Sequence, residues 1–223
     1  MKEIKTDVVI VGGGLTGLLT ACALSSLELR ILLIDAGVIF SDSKKKDFRT
    51  TAIAEGSKLF FEELGIWKNI YKHSEKIKTI QVFDRNISRK ISFSNPKNIG
   101  NLGYVVKNTK IKNELIKFLK LKKNIRILQK TPLKRIETNQ NDSVVFSSNN
   151  KIIAKLLVSA DGKNSFVREI VGTSTFKKKY NHSAFVTNFS HKQNHKNIAH
   201  EIFLESGPLA LLPMKSANNK TYN

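Results

Sequence analysis

The first forty residues follow a simple pattern of apolar runs separated by a glycine-rich turn. Residues 7–11 form a continuous, β-branched apolar run, which is typical of a strand buried on both faces of a parallel sheet. Residues 15–26 then have the length and composition of an apolar helix, and residues 30–34 form a second apolar run. The order strand, helix, strand predicts a right-handed βαβ unit.

The pattern becomes mixed after residue 47. Residues 51–67 place apolar side chains at helical spacing and end near Gly65, which predicts a helix. Residues 80–84 and 89–93 alternate on either side of a polar turn, which predicts a hairpin. The remaining predictions are a basic helix over 109–121, a strand over 125–129, short strands over 133–159 with a turn at Asn149 and Asn150, and strands from 185 to 212.

The loop after the first strand has the G-x-G-x-x-G spacing at Gly12, Gly14 and Gly17. In such a loop the first glycine permits a tight turn, the second lets the backbone approach a pyrophosphate, and the third lets the helix pack closely on the strand. Leu15 and Thr16 complete the loop, where the helix amino terminus presents unpaired N–H groups to phosphates. The loop therefore predicts a dinucleotide site.

Asp35 supplies the acidic residue that this prediction requires, because it follows the second strand directly. At the end of that strand a carboxylate can accept hydrogen bonds from a ribose hydroxyl. The glycine loop and this acid do not distinguish FAD from NAD, so the choice of cofactor depends on other segments.

Two later segments resemble a known family. Residues 47–67 read D-F-R-T-T-A-I-A-E-G-S-K-L-F-F-E-E-L-G-I-W, and residues 157–168 read L-V-S-A-D-G-K-N-S-F-V-R. Both resemble the class A flavin-dependent aromatic hydroxylases, and the first is similar to the branch that hydroxylates ubiquinone precursors. Residues 102–108 and 195–213 also resemble family segments, so the likeness extends over nearly the whole chain.

The resemblance implies roles for particular residues. Arg49 is expected to contact the flavin cofactor. The A-D-G segment is expected to lie near the FAD pyrophosphate and the path of the nicotinamide cofactor, which gives cofactor-binding roles to Asp161, Gly162, Ser165 and Arg168. The family's chemistry belongs to the cofactor, so no residue here is assigned a catalytic role.

The resemblance also implies an architecture and an activity. The expected fold is α/β, with a Rossmann-like FAD-binding domain over 1–74 and 104–175 that has a parallel sheet. A β-rich substrate domain, incomplete here, occupies 75–103 and 176–223. The expected reaction is hydroxylation of a polyprenylated phenol in ubiquinone biosynthesis, with FAD as cofactor, NAD(P)H as reductant and O2 as cosubstrate. Other enzymes of that pathway are the expected protein partners.

One family motif is missing. Members carry a later G-D-A-A-H-type segment that contacts the flavin ribityl chain, and this sequence contains no Gly-Asp dipeptide. We therefore expect a truncated gene, a fragment or one half of a split protein. The alternative function is a non-catalytic fragment that binds nucleotide weakly.

The charge of the chain leaves a third function open. There are 38 Lys and Arg residues against 18 Asp and Glu, a net charge of +20, and the excess lies entirely after residue 41. A basic surface attracts nucleic acid or anionic membranes, although a biased genome composition explains the lysines equally well. No motif for specific nucleic-acid binding is present. We expect a cytoplasmic protein attached peripherally to the inner face of the membrane.

Cysteine and histidine add no further chemistry. Cys22 lies in an apolar run, where a buried structural thiol is expected. His191, His195 and His200 lack the helical spacing and nearby cysteines of a metal site, so no metal is expected.

Overall fold

The computed structural model describes residues 1–40, 47–84, 87–95, 100–215 and 221–222. The strands are β1 Lys2–Val11, β2 Ile31–Ile34, β3 Thr50–Ala54, β4 Ser74–Ile77, β5 Thr79–Asp84, β6 Ile87–Ser94, β7 Gly103–Lys107, β8 Ile125–Leu128, β9 Leu133–Thr138, β10 Ser143–Ser147, β11 Asn150–Ser159, β12 Ser190–His191, β13 Ile198–Leu204, β14 Gly207–Leu211 and β15 Thr221–Tyr222. The helices are α1 Leu15–Leu24, α2 Glu55–Glu63, α3 Trp67–Tyr71, α4 Asn108–Lys120 and α5 Phe166–Ile170.

Contacts divide the chain into two compact units. The first unit consists of Met1–Lys46 and Lys112–Ser183, and the second of Asp47–Ile111 and Ala184–Asn223. The predicted division differs over 47–74, 104–111 and 176–183. Strands β3, β4 and β7 belong together in the second unit because β7 pairs with both of the others. The assignment of cofactor and substrate binding to separate domains stays a prediction.

The first unit is built on one sheet with the strand order β8-β2-β1-β11-β10-β9. Strands β8, β2, β1 and β11 run parallel, whereas β10 and β9 continue the sheet as an antiparallel meander. Val9 and Leu32 are buried in the core of this sheet together with Ile152. Helix α1 contacts β1 and β2, so the predicted βαβ unit and α/β fold are confirmed.

Strand β1 is longer than the apolar run that predicted it. It begins at Lys2, because Lys2 to Thr6 pair with residues 150–154 of β11 before the buried portion of the strand begins. The predicted turn at Asn149 and Asn150 leads into β11, which begins at Asn150. The backbone N–H of Asn150 donates a 3.2 Å hydrogen bond to Oγ of Ser147 there.

The second unit contains two sheets, β3-β7-β4 and β14-β13-β5-β6, and the pair β12-β15. The predicted hairpin is confirmed as β5 and β6, which pair antiparallel; residues 85 and 86 of its turn lie outside the described residues. The aromatic rings of Trp67 and Tyr104 meet edge to face with centroids 4.8 Å apart.

The helix predicted over 51–67 is wrong at its start. Residues Thr50–Ala54 form β3, which pairs with β7, and the helix begins only at Glu55. The run T-T-A-I contains β-branched side chains that suit a strand as well as a helix, and pairing with β7 decides between the two. Gly65 then adopts a φ of +71° and separates α2 from α3. No helix in the described residues has the length and apolar content needed to cross a membrane.

Candidate dinucleotide-binding site

At Gly12 the chain leaves β1 and lies close to Ala160, the residue that follows β11. Its φ is +114°, and an added Cβ would lie 2.3 Å from the carbonyl oxygen of Ala160. The backbone N–H of Ala160 donates a 2.8 Å hydrogen bond to Val11, and that of Gly12 donates one of 2.8 Å to Ile34. Glycine is required at position 12 for conformational and steric reasons together.

Gly17 and Gly14 illustrate two different uses of glycine in the same loop. A Cβ on Gly17 would lie 1.8 Å from the carbonyl oxygen of Gly12, so the protein's own backbone excludes a side chain there. Gly14 is exposed and an added Cβ would meet nothing within 4 Å. It is the N-cap of α1, with no side-chain cap hydrogen bond. The open space at Gly14 is a candidate phosphate cradle, because a phosphate that binds at a helix amino terminus requires such access.

Leu15 and Thr16 form the first turn of α1 beside this space. Leu15 is half-buried and Thr16 is exposed. The first turn contains no acidic side chain, so nothing in it competes with a bound phosphate for the helix N–H groups. The donor set of the loop therefore fits the pyrophosphate of a dinucleotide.

Asp35 lies at the predicted edge of the sheet, directly after β2. Its Oδ2 accepts a 2.5 Å hydrogen bond from the backbone N–H of Gly13, and its Oδ1 accepts one of 2.7 Å from Gly37. These bonds fix the carboxylate next to the glycine loop. Each carboxylate oxygen has further acceptor capacity for a ribose hydroxyl.

The loop after β11 is organised by Asp161. Its Oδ1 accepts hydrogen bonds from the hydroxyls of Ser159 (2.7 Å) and Ser165 (2.6 Å), and its Oδ2 accepts one from the backbone N–H of Val167 (3.0 Å). Burial raises the pKa of Asp161, but the hydrogen bonds from Ser165, Ser159 and Val167 outweigh it and leave that pKa below its usual value.

Ser165 and Arg168 continue this network. Ser165 is the N-cap of α5, and its Oγ accepts a 3.0 Å hydrogen bond from the backbone N–H of Arg168. The guanidinium of Arg168 donates to the carbonyl oxygen of Lys163 at 2.8 Å. Gly162, at the tip of the loop, is exposed with a φ of +87°.

A cleft of about 220 Å³ in the first unit has three of the predicted residues in its lining, whereas Gly14, Leu15, Thr16, Gly17, Gly162, Ser165 and Arg168 lie outside that lining. Gly12, Asp35 and Asp161 line it on one side, while Pro132 and Leu133 are among its apolar walls. The structure therefore brings the glycine loop, the ribose acid and the A-D-G segment together at the carboxyl ends of β1, β2 and β11. Ligands of open α/β sheets bind at this edge.

Arg49 belongs to the second unit and has a partner of its own. Its Nε lies 2.9 Å from Oδ1 of Asp47, and the Arg49 side chain is 73% exposed. The hydrogen bond that Arg49 donates to the Asp47 carboxylate raises the pKa of Arg49 above its usual value. The predicted contact of Arg49 with the flavin stays a prediction.

Sequence reasoning missed the parts of the site that act through backbone atoms. Gly13 and Ala160 supply an N–H group and a carbonyl group, respectively, to the arrangement. Gly13 lies between two glycines of the predicted loop and Ala160 begins the A-D-G segment, but neither residue was assigned a role. Ser159 directly precedes A-D-G, and its hydroxyl was likewise not predicted to hold Asp161.

Other candidate chemistry is weak. Burial raises the pKa of the Cys22 thiol to about 12, which makes it a structural residue. Among the described residues, no group of three or more His, Cys, Asp or Glu side chains is placed to hold a metal ion.

The parallel sheet, the glycine loop and the acid beside it define a dinucleotide-binding protein of the Rossmann-like class. Comparison with known proteins specifies the cofactor. The chain belongs to the FAD binding domain family, whose model matches residues 5–223.

Two curated relatives are enzymes of ubiquinone biosynthesis or ubiquinone hydroxylases by name. Ubiquinone hydroxylase UbiL of Rhodospirillum rubrum is 29% identical over 214 residues, covering 93% of this chain and 49% of that protein. The human mitochondrial ubiquinone biosynthesis monooxygenase COQ6 is 31% identical over 227 residues, covering 93% of this chain and 48% of that protein. The chain spans about half the length of the curated relatives it matches.

A solved structure shares the fold. PqsL of Pseudomonas aeruginosa, described as a probable FAD-dependent monooxygenase, aligns with a TM-score of 0.79 and 12% sequence identity. The alignment covers 98% of this chain and 59% of that one. At this identity the likeness establishes the fold alone.

Proposed function

We propose that the chain serves a flavin-dependent monooxygenase reaction that hydroxylates a polyprenylated phenol in ubiquinone biosynthesis. FAD is the cofactor, NAD(P)H the reductant and O2 the cosubstrate. The two curated relatives, a ubiquinone hydroxylase and a ubiquinone biosynthesis monooxygenase, support hydroxylation as the reaction class. The observation that carries the proposal is the open space at Gly14, which faces the amino terminus of α1 next to Asp35.

The proposed cofactor contacts follow from this geometry and from the family. Backbone N–H groups of Gly14, Leu15 and Thr16 bind the pyrophosphate, and Asp35 accepts from a ribose hydroxyl. The remaining proposed contacts are Gly12, Gly17, Arg49, Asp161, Gly162, Ser165 and Arg168.

Asp161 acts mainly through the loop that carries it. Both of its carboxylate oxygens already accept hydrogen bonds from Ser159, Ser165 and Val167. The carboxylate therefore holds the backbone from Ala160 onward against Gly12, and the cofactor meets the exposed backbone of that loop at Gly162.

The protein's contribution to the reaction is orientation and exclusion of water. Bound FAD supplies the redox chemistry that activates oxygen. The apolar walls at Pro132 and Leu133 limit water beside the site. No side chain of this site is required to act as an acid, base or nucleophile.

FAD titration of matched glycine variants tests the proposal. Gly14→Ala has room for its methyl group in the protein itself, so its fold is retained while the methyl occupies the phosphate cradle. Loss of one or two phosphate hydrogen bonds, each worth about 1.5–3 kcal/mol, weakens FAD binding at least tenfold. The control is Gly56→Ala, where an added Cβ also meets nothing within 4 Å. Equal FAD affinity in both variants would contradict the proposed pyrophosphate contact.

Turnover separates the enzyme from a nucleotide-binding protein without activity. The assay follows oxygen-dependent NAD(P)H oxidation with a polyprenylphenol and identifies the hydroxylated product by mass spectrometry. FAD binding without product would favour the non-catalytic alternative.

We further propose that the protein is cytoplasmic and attaches peripherally to the inner face of the membrane, where polyprenylated substrates and other ubiquinone-biosynthesis enzymes are found. The net charge of +20 supports attraction to anionic lipid. Flotation with anionic vesicles at low and high salt tests this attachment. Equal recovery with neutral and anionic lipid would contradict it.

A further inference from the structure

A second cavity, separate from the dinucleotide cleft, lies within the second unit. Its volume is about 210 Å³. Lys72, His73, Lys107, Lys110 and Lys215 line it, together with the buried apolar residues Val105 and Met214, and the four lysines are exposed. We call it the lysine cavity. No cofactor contact proposed above involves these lysines.

The positive charge of the lysine cavity is not neutralised within the described part of the chain. None of its lysines forms an ion pair with a carboxylate among those residues. The Nζ of Lys215 donates a 2.6 Å hydrogen bond to the carbonyl oxygen of Lys72, and the Nζ of Lys72 lies 3.4 Å from Oδ1 of Asn69. Both partners are neutral, so neither bond cancels the charge of Lys72 or Lys215.

The start of α4 increases this excess charge. Lys107 immediately precedes the helix and Lys110 lies in its first turn, which contains no acidic residue. The amino terminus of a helix carries a partial positive charge, so cations there are unfavourable by a few tenths of a kcal/mol to about 1 kcal/mol. Like charges that converge around a cavity lower stability, and a bound anion removes that cost.

We propose that the lysine cavity binds a phosphate group, either of a soluble phosphate compound or of a lipid headgroup. Several ammonium groups favour a multivalent anion over a single carboxylate, and lysine binds phosphate as a mobile point charge. The apolar floor of Val105 and Met214 accepts the uncharged part of the ligand. This site is independent of the proposed flavin reaction.

Calorimetric titration with sodium diphosphate, at constant ionic strength set with chloride, tests the soluble source. The double variant K107Q/K110Q binds diphosphate about tenfold more weakly than the unmodified chain, because two ammonium contacts are lost. The control is K90Q/K192Q, which removes the same charge from exposed lysines outside the cavity. Its affinity stays within about twofold of the unmodified chain.

Thermal unfolding without phosphate gives a second readout. At low ionic strength K107Q/K110Q melts at a higher temperature than the unmodified chain, because the repulsion at the start of α4 is relieved. Saturating diphosphate reduces or reverses that difference, since it stabilises only the chain that binds it. A site made for an anion predicts this reversal, whereas solvated surface lysines do not.

Vesicles identify a lipid source. Flotation compares vesicles of phosphatidylcholine alone with vesicles that contain phosphatidic acid. A lipid headgroup is the ligand if the unmodified chain binds diphosphate weakly but is recovered with vesicles that contain phosphatidic acid. In that case K107Q/K110Q is no longer recovered with those vesicles, whereas K90Q/K192Q still is. The proposal is overturned if neither diphosphate nor phosphatidic acid distinguishes K107Q/K110Q from the control.

Discussion

The backbone N–H of Gly13 lies 2.5 Å from Oδ2 of Asp35. This bond joins the glycine loop to the end of the neighbouring strand β2, so the candidate phosphate cradle and the carboxylate of Asp35 are held by one contact. The second oxygen of Asp35 accepts from Gly37. Asp35 therefore has a structural role in the chain before any nucleotide binds.

Replacement of Asp35 is expected to lower stability as well as nucleotide affinity. Asp35→Ala removes both acceptors and destabilises the chain by about 1–3 kcal/mol, whereas Asp35→Asn keeps one carbonyl oxygen and costs less. Urea unfolding measures both variants, with exposed Glu205→Gln as the control. Unchanged unfolding of Asp35→Ala would show that the bonds to Gly13 and Gly37 contribute nothing to stability.

Gly17→Ala is expected to be among the most disruptive single-methyl changes in the first unit. Its Cβ would lie 1.8 Å from the carbonyl oxygen of Gly12, and rigid backbone atoms must move to admit it. We expect a loss of about 3 kcal/mol or more. Gly56→Ala, in open space on α2, is the control in the same unfolding experiment and is expected to change stability by less than about 1 kcal/mol. Equal stability of the two variants would contradict the close approach of Gly17 to Gly12.

Ser165→Ala is expected to weaken the network around Asp161 and to change its pH dependence. The variant loses the cap bond from Arg168 and the hydrogen bond to Asp161, at a cost of about 1–2 kcal/mol. Because the pKa of Asp161 is lowered in the folded chain, its contribution is present above about pH 4 and is lost as the pH falls through the folded pKa.

The loss on acidification is therefore expected to be smaller in Ser165→Ala, whose Asp161 pKa returns toward its usual value. Urea unfolding at neutral pH and at about pH 3 measures the difference, with exposed Ser148→Ala as the control. The same acid-induced loss in Ser165→Ala and the unmodified chain would refute this role of the hydroxyl.

Cys22 is expected to resist alkylation in the folded chain. Burial raises the pKa of its thiol to about 12, despite the opposing effect of Lys122, so very little thiolate is present near pH 8. Iodoacetamide treatment followed by mass spectrometry is expected to show modification only after urea is added. Rapid modification of the folded chain at that pH would contradict the burial of Cys22.

The βαβ unit and the position of Asp35 could be predicted because both depend on local signals. Buried parallel strands are continuously apolar, and the glycine spacing places the turn between strand and helix. The prediction failed at residues 51–54, where the local pattern suits two structures. Pairing with β7, which lies 49 residues away at the nearest pair, Ala54 and Gly103, decides between them. Long-range pairing is not visible in local periodicity.

The lysine cavity could not be predicted for a related reason. Lys72, Lys107 and Lys215 are far apart in sequence, and the chain contains many other lysines that are merely solvated. Only the fold brings these side chains to one cavity. Arg49 is the opposite case. A family motif predicts its contact with the flavin, whereas the structure shows only its ion pair with Asp47.

The pairing of β1 with β11 has a consequence for how the chain is made. Strand β1 pairs along nearly its whole length with residues 150–159, which are synthesised long after it. At about 5–20 residues per second, β1 is synthesised roughly 7–30 s before its partner exists. During that interval the apolar residues Val8 to Val11 have one unpaired edge, which is a hazard for aggregation. A chain of this topology is therefore expected to complete its central sheet late in translation and to depend on chaperones until then.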